Sequence, residues 1–409
     1  MRSEGRPYAP KLSRYTGLIE VVRGIFIDRE LYKYLLEYFS DKEIEKMFVS
    51  IRRPTSRYYI RVNTRKIDPY ELYKRFIRKG LKVHLDEHIR EALWFEVEGP
   101  NKIPSARKIV IADKYAAESV YVGANLYAPG VVKARGVKKG DEVVILAPTG
   151  EEVAYGIAEM SEDEIRKSRK GIAVRVLVSR YRVPSLRELE EYKLGLIYDQ
   201  SIAAQWVAHI VNPSYDELIV DLNCAPGGKL THIAQLCTLC HVLGVDRSFP
   251  KVQDTLENVR RLSLEFNIDV LLHDSRYLDV DFPKIVGKVD KVVIDPPCTS
   301  IGVRPKLIDV KTMRDVEVTS RYQEQFLRPA IKLLKRGGRL IYSTCTITVL
   351  ENENIVKRAI RMGLEIEYVD VPYAERGRSG DWVDYFVARF LPHIHDFSPG
   401  FFIASLVKR

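Results

Sequence analysis

Leu218-Ile219-Val220-Asp221-Leu222-Asn223-Cys224-Ala225-Pro226-Gly227-Gly228-Lys229 passes from an apolar strand, Leu218–Leu222, into a glycine-rich loop, and Leu230–Leu239 continues it as a helix. Such a loop lets the backbone approach a nucleotide-like ligand, with N–H groups free at the helix start. The spacing is not that of the phosphate-binding loop, because Leu230 rather than Ser or Thr follows Lys229, and it is not G-x-G-x-x-G. Taken alone, the run is also compatible with a tight strand–helix turn. Further apolar strands are expected at Val242–Val245, Val270–His273, Lys291–Ile294 and Gly338–Tyr342, with helical stretches between them. Strand alternating with helix predicts an α/β, doubly wound parallel sheet. The second strand ends in Asp246, placed to accept from both ribose hydroxyls, and the third in His273-Asp274-Ser275, placed for an adenine amino group. One such Asp can be a helix N-cap. Acids at three successive strand ends behind a glycine-rich loop point to a nucleoside site.

The fourth strand runs into Asp295-Pro296-Pro297-Cys298, and the fifth into Ser343-Thr344-Cys345-Thr346. Two prolines fix an extended turn at the sheet edge where ligands bind in this architecture. Asp-Pro-Pro followed by an aromatic residue suits methylation of exocyclic amino groups, but Cys298 stands in the aromatic position. Two cysteines at adjacent strand ends can be packing residues. They also fit a specific chemistry. C5 of cytosine is a poor nucleophile until a thiolate adds to C6, and a second group must then help expel that thiol. Cys237 and Cys240 form a C-x-x-C with no second pair, so they are assigned to helix packing, and nothing calls for a metal. Tyr385–Phe390 and Gly400–Leu406 are expected to form a terminal hairpin.

Upstream the texture changes. Positions 1–185 hold 36 basic and 25 acidic residues, and 186–409 hold 29 and 30, so the whole excess of +10 lies in the N-terminal part. That asymmetry fits a polyanion-binding part joined to one with another task, as well as a merely solubilising surface. Residues 1–105 are expected to form a small α+β module: an amphipathic helix over Arg29–Phe48, with Leu31, Tyr34, Leu35 and Tyr38 on one face, a strand at Tyr58–Asn63, a helix over Pro69–Lys79 ended by Gly80, and a strand at Leu81–Leu85. Residues 106–185 carry short β-rich runs at Lys108–Ala112, Glu142–Leu146, Val153–Ala158 and Gly171–Val178, separated by turn residues, which predicts a small barrel. Residues 186–409 are then the third domain. No apolar run approaches a membrane span, the N-terminal Met1–Arg6 leads into no signal-like segment, and five cysteines are too few for a disulfide framework, so a cytoplasmic protein is expected.

Asn223–Lys229, Asp295–Cys298, Ser343–Thr346, Glu351-Asn352-Glu353-Asn354, Gly400–Ala404 and the upstream Arg61-Val62-Asn63-Thr64 together resemble the Nop/Sun (Fmu-type) family of RNA cytosine-5 methyltransferases, over almost the whole chain. Leu230 stands where the family commonly has Thr, and Cys224-Ala225-Pro226 where Cys-Ala-Ala-Pro is common. The resemblance implies a Rossmann-like class I methyltransferase domain using S-adenosylmethionine. It implies that Cys345 attacks C6, that Cys298 promotes product release, and that Asp295 and Lys229 contact the flipped cytosine. It implies a cofactor site of Cys224, Ala225, Pro226, Gly227, Gly228, Lys229, Leu230, Asp246, Lys251, Asp274 and Asp295. DNA cytosine-5 enzymes use the Pro-Cys thiol as nucleophile, so exchanged roles are the internal alternative. Asp113–Val120, Gly123-Ala124, Pro129-Gly130-Val131 and Lys139-Gly140-Asp141 are similar to a PUA domain, an RNA-binding β-barrel, whose Lys133, Arg135, Lys138 and Lys139 would meet phosphates. A PUA domain ahead of the catalytic domain resembles the branch that methylates tRNA in the acceptor stem and grips its 3′ CCA end. The alternatives are an rRNA cytosine and a non-catalytic RNA-binding chaperone on the same fold. No obligate protein partner is implied.

Overall fold

Alternation along Leu218–Asp221 sets the largest sheet. In the computed structural model, which describes residues 17–409, Ile219 faces one apolar core with Val242, Val293 and Ile341, while Val220 faces another with Val292, Leu340 and Tyr342. A strand buried on both faces belongs at the centre of a doubly covered parallel sheet. The strands are β1 (Leu218–Asp221), β2 (His241–Asp246), β3 (Ile268–Leu272), β4 (Val289–Ile294), β5 (Leu334–Thr344), β6 (Leu364–Glu367) and β7 (Phe401–Lys408), ordered β3-β2-β1-β4-β5-β7-β6. Strands β1 to β5 are parallel, and β7 runs antiparallel between β5 and β6. The expected terminal hairpin is present as Ala388–Phe390 paired with β7. Its second strand is also a central strand, which its uninterrupted burial over Phe401–Val407 explains. Cys237 and Cys240 are buried in the first of the two cores.

The N-terminal residues build two smaller sheets, and each takes a strand from beyond residue 185. Arg57–Val62, Ala92–Glu96 and Val83–Leu85 form an antiparallel sheet completed by Ile197–Asp199. The helix Pro69–Arg78 packs Leu72 and Phe76 against Ile60, Leu93 and Phe95. The hairpin Leu18–Val22/Ile25–Asp28 is joined by Asp309–Lys311, parallel to Ile25–Ile27. The single helix expected over Arg29–Phe48 is two helices, Arg29–Leu36 and Asp41–Ile51. Ser40 and Glu43 close a capping box there, each side chain satisfying the other's backbone N–H, and that starts a new helix where apolar spacing alone reads continuity. The expected Met1–Arg6 segment lies outside the described residues. Lys108–Ala112, Glu142–Leu146, Glu152–Ala158 and Ile172–Ser179 form most of a six-stranded sheet with Leu126–Tyr127 and Val131–Lys133. Among the described residues no helix is long and apolar enough to cross a membrane.

The three units are fastened at specific points. Arg61 is fully buried, and its guanidinium donates to Gln200 Oε1 (2.7 Å), the Gly228 carbonyl (2.7 Å) and Thr231 Oγ1 (2.9 Å). Asn63 donates to the carbonyls of Gly195 (3.0 Å) and Leu262 (2.9 Å). The chain that follows Cys298 sinks Leu307 into the core of the 106–185 unit, where its N–H donates to Glu118 (3.1 Å). Lys114 of that unit pairs with Asp309 at 2.8 Å. Glu91, of the N-terminal module, accepts hydrogen bonds at 2.7 Å from the Nε2 atoms of both His209 and His232, which lie on the helices Ile202–Val211 and Gly228–Leu236. At that distance the cluster is a carboxylate held by two imidazole N–H donors.

Burial works against the Glu91 charge, but the two imidazoles hold its carboxyl well below the usual range, and burial pushes His232 down to about 3. Both groups act in one direction. The unfolded chain takes up the His232 proton at its ordinary value, before the folded chain does, so stability falls as pH drops below that value. Thermal and urea unfolding should show this loss between about pH 6.5 and 5, with a slope approaching about 1.4 kcal/mol per pH unit for one proton. His232→Gln should flatten it, and an unchanged slope in that variant would contradict the assignment.

Candidate functional site

The register of β4 and β5 builds the site. Ile294 lies opposite Tyr342, so Asp295 leaves β4 beside Ser343, whose hydroxyl donates to Asp295 Oδ1 at 3.0 Å. Beyond that point β4 enters the rigid Pro296-Pro297 turn and β5 ends, and the Cys298 and Cys345 sulfurs meet at 3.2 Å. Lys229 reaches over from the glycine-rich loop and places its ammonium 2.5 Å from Asp295 Oδ2. Two thiols, an ammonium and a carboxylate therefore share the carboxyl edge of the sheet.

Glu351 fixes the two thiol-bearing segments to each other. Its buried carboxylate accepts from the Thr299 N–H (2.8 Å), the Thr299 hydroxyl (2.6 Å), the Thr348 hydroxyl (2.7 Å) and Gln323 Nε2 (3.2 Å). Thr299 and Thr346, the residues immediately after Cys298 and Cys345, share a hydroxyl contact of 2.8 Å. Burial pushes Glu351 up, and the Thr299 and Thr348 donors pull it back. Every one of these partners is a donor, which suits an ionised carboxylate.

The two thiols are inequivalent. Accepting the hydrogen bond from Cys298 lowers Cys345; burial and the Asp295 charge oppose this, and the Ser300 hydroxyl and the Lys229 ammonium reinforce it. Giving that hydrogen bond raises Cys298, with burial and the charges of Cys345 and Glu351 adding to the effect. The two sulfurs share one hydrogen bond, and their surroundings lower Cys345 and raise Cys298. Burial also works against the Lys229 charge, but Asp295 beside it keeps the ammonium protonated.

A cleft of about 230 Å³ opens next to this cluster, between the loop Asn223–Lys229 and the segment Tyr198–Ala204. Gly227, in the left-handed region at φ +101°, turns the chain into the helix Gly228–Leu236. A β-carbon at Gly228 would lie 3.2 Å from the Tyr198 ring. Asn223 Oδ1 is buried at the cleft without a partner, and burial pushes Asp221 up to about 7. An open loop, free helix-start N–H groups, an unpaired amide oxygen and acids at the strand ends fit a cationic nucleoside such as the expected S-adenosylmethionine.

The structure brings some of the expected site residues together and leaves others apart. Lys229, Asp295, Cys298 and Cys345 converge, and Ala225, Pro226 and Gly228 line the cleft. Cys224 and Leu230 are buried in the core, both against Gly244, so any contact they make with a ligand goes through their backbone. Asp246 ends β2 with Oδ1 accepting from the Ser248 N–H, and Lys251 is exposed in the first turn of the following helix. Asp274 gives both oxygens to the Arg276 guanidinium, which holds its carboxyl below the usual range. Lys133, Arg135, Lys138 and Lys139 are exposed on the 106–185 unit. Glu351, Ser300, Tyr198 and Gln200 escape sequence reasoning as site residues. A signal existed for the first, since Thr follows each of the two cysteines.

The model of the family described as 16S rRNA methyltransferase RsmB/F matches residues 208–407, and that of the PUA domain matches 108–178. A Pyrococcus horikoshii tRNA (cytosine(72)-C(5))-methyltransferase is 41% identical over 93% of this chain and 96% of its own. The human tRNA (cytosine(72)-C(5))-methyltransferase NSUN6 is 28% identical over 86% of this chain and 82% of its own. The crystal structure of NSun6 from Pyrococcus horikoshii with SFG superposes with a TM-score of 0.86, covering 93% of this chain and 98% of that one.

Removing the Glu351 acceptor strands several buried donors, each costing about 1–3 kcal/mol. Glu351→Ala should therefore lower stability by about 3 kcal/mol or more in urea unfolding. A loss below about 1 kcal/mol would mean that the two thiol segments do not depend on this carboxylate.

Proposed function

The chain belongs to the family of RNA cytosine-C5 methyltransferases with a PUA domain, and from that premise we propose that it methylates C5 of a cytosine in the acceptor stem of tRNA. The observation that carries this reading is the pair of sulfurs 3.2 Å apart beside the Lys229–Asp295 pair, at the mouth of the cofactor cleft. Similarity extending through both the PUA region and the N-terminal module favours tRNA over rRNA, because those parts would be spare in an enzyme that used the catalytic domain alone.

S-adenosylmethionine supplies an electrophilic methyl group when bound. In this reading the Cys345 thiolate adds to C6 of a flipped cytosine and makes C5 nucleophilic. The ammonium of Lys229 and the carboxylate of Asp295 face the ring, where they bind its polar edge and steady the charge that develops on adduct formation. Once Cys345 is bonded to C6 and is no longer a thiolate, Cys298 gives up its proton to solvent, and the resulting thiolate takes the C5 proton as the C6–S bond breaks and Cys345 leaves as a thiolate. A paired base must be flipped out for this, at a cost of about a few kcal/mol. Lys133, Arg135, Lys138 and Lys139 would offset that cost through phosphate contacts while the PUA domain holds the 3′ CCA end. Free cysteines at all five positions suit a reducing cytoplasm.

Bisulfite sequencing of total tRNA incubated with the protein and S-adenosylmethionine should reveal one protected cytosine in the acceptor stem. Protection confined to rRNA, or absent altogether, would overturn the reading. Alanine at Lys133, Arg135, Lys138 and Lys139 together should weaken tRNA binding and reduce the slope of log affinity against log salt by about one per lost contact. Asp246→Ala should weaken S-adenosylmethionine about tenfold or more in calorimetry, because a charged acceptor of the ribose hydroxyls is lost.

A further inference from the structure

Ser300 occupies a backbone conformation that favours glycine. Its φ is +57°, in the left-handed region, where a β-carbon crowds the chain. Glycine would make the same turn without that strain, so the side chain needs a reason. The Ser300 hydroxyl lies 3.5 Å from Cys345 Sγ and 3.6 Å from Cys298 Sγ, and it donates to the Cys298 carbonyl at 3.3 Å. The neighbouring hydroxyl of Thr299 is committed to Glu351. Strain kept at a functional site is commonly strain put to use.

We propose that Ser300 is a catalytic residue whose hydroxyl stabilises the Cys345 thiolate, both before it attacks and as it leaves C6. When Cys345 carries its proton, S–H donates to Ser300 Oγ; when the proton is gone, the hydroxyl rotates from the Cys298 carbonyl to donate to the sulfur. No heavy atom has to move. The other charged or titratable groups around the sulfurs are Lys229, Asp295, Glu351 and Cys298 itself. Of these Cys298 gives Cys345 a hydrogen bond from its own S–H, and Lys229 acts by charge while its ammonium is held by Asp295. The proposal rests on Cys345 being the nucleophile.

Ser300→Gly separates the hydroxyl from the strain, because it removes the first and relieves the second. In a Cys298→Ala background, the rate of Cys345 alkylation by iodoacetamide against pH, read by peptide mass spectrometry, reports the thiolate directly. Ser300→Gly should raise the midpoint by about one pH unit, since a hydrogen bond to a charged group is lost. In the otherwise native chain it should lower kcat about tenfold, with KM for tRNA unchanged and thermal stability not reduced. Ser300→Ala should shift the midpoint equally while leaving the strain in place. An unchanged midpoint and kcat in Ser300→Gly would overturn the proposal and reduce Ser300 to a turn residue. Methylation by Cys345→Ala would instead overturn the nucleophile assignment beneath it, and that result is read independently of the glycine variant.

Discussion

The contact between the Cys298 and Cys345 sulfurs is what the rest of the molecule is arranged to hold. Two thiols at that distance share one hydrogen bond, and the fold sets where each stands. Parallel pairing of β4 with β5 brings the two strand ends level. The Glu351 charge bears on Cys298, while Asp295 and Lys229 act on Cys345 in opposite senses, so the two thiols differ through the hydrogen bonds from Cys298 and Ser300 rather than through a net field. In the proposed reaction this inequivalence suits Cys345 to the addition and Cys298 to the elimination that follows.

Holding that contact is a task for the whole chain. The loop that presents Lys229 is braced from outside its own domain, by Arg61 on the Gly228 carbonyl and on Thr231. Gln235 of the same helix donates to the Val62 carbonyl (2.8 Å) and to Thr64 (3.2 Å), so the run Arg61–Thr64 works as one docking edge. On the other side, the chain leaving Cys298 is pinned through Leu307 and Asp309 to the PUA domain and to the N-terminal hairpin. Arg304 donates to the carbonyls of Arg53, Pro54 and Pro392 along the way. The PUA domain is thus fixed against the same segment that carries Cys298.

Much of this is legible in the sequence because the decisive features are local. Short apolar runs announce the parallel strands, the glycine-rich loop and strand-end acids mark the cleft, and the Asp-Pro-Pro-Cys and Ser-Thr-Cys-Thr runs place both thiols. What stays hidden depends on contacts distant in sequence. The strands Ile197–Asp199 and Asp309–Lys311 are too short to announce themselves, and they exist only because a partner edge elsewhere accepts them. Ser300 carries no mark of its left-handed backbone, since serine is an ordinary loop residue. Glu351 reads as one acid in an Asn/Glu-rich run until the two Thr-flanked strand ends close around it. The break between Arg29–Leu36 and Asp41–Ile51 is the opposite case. The Ser40–Glu43 box was there to be read, and apolar spacing overrode it.

The central claim is that the two thiols act in sequence, with Cys345 bonded to C6 and Cys298 freeing it. Denaturing electrophoresis of each alanine variant after incubation with tRNA and S-adenosylmethionine tests this most directly. The account predicts a stable protein–RNA species for Cys298→Ala, trapped after methylation, and none for Cys345→Ala. The reverse pattern would exchange the two roles, and methylation retained in both variants without any adduct would remove thiol catalysis from this site.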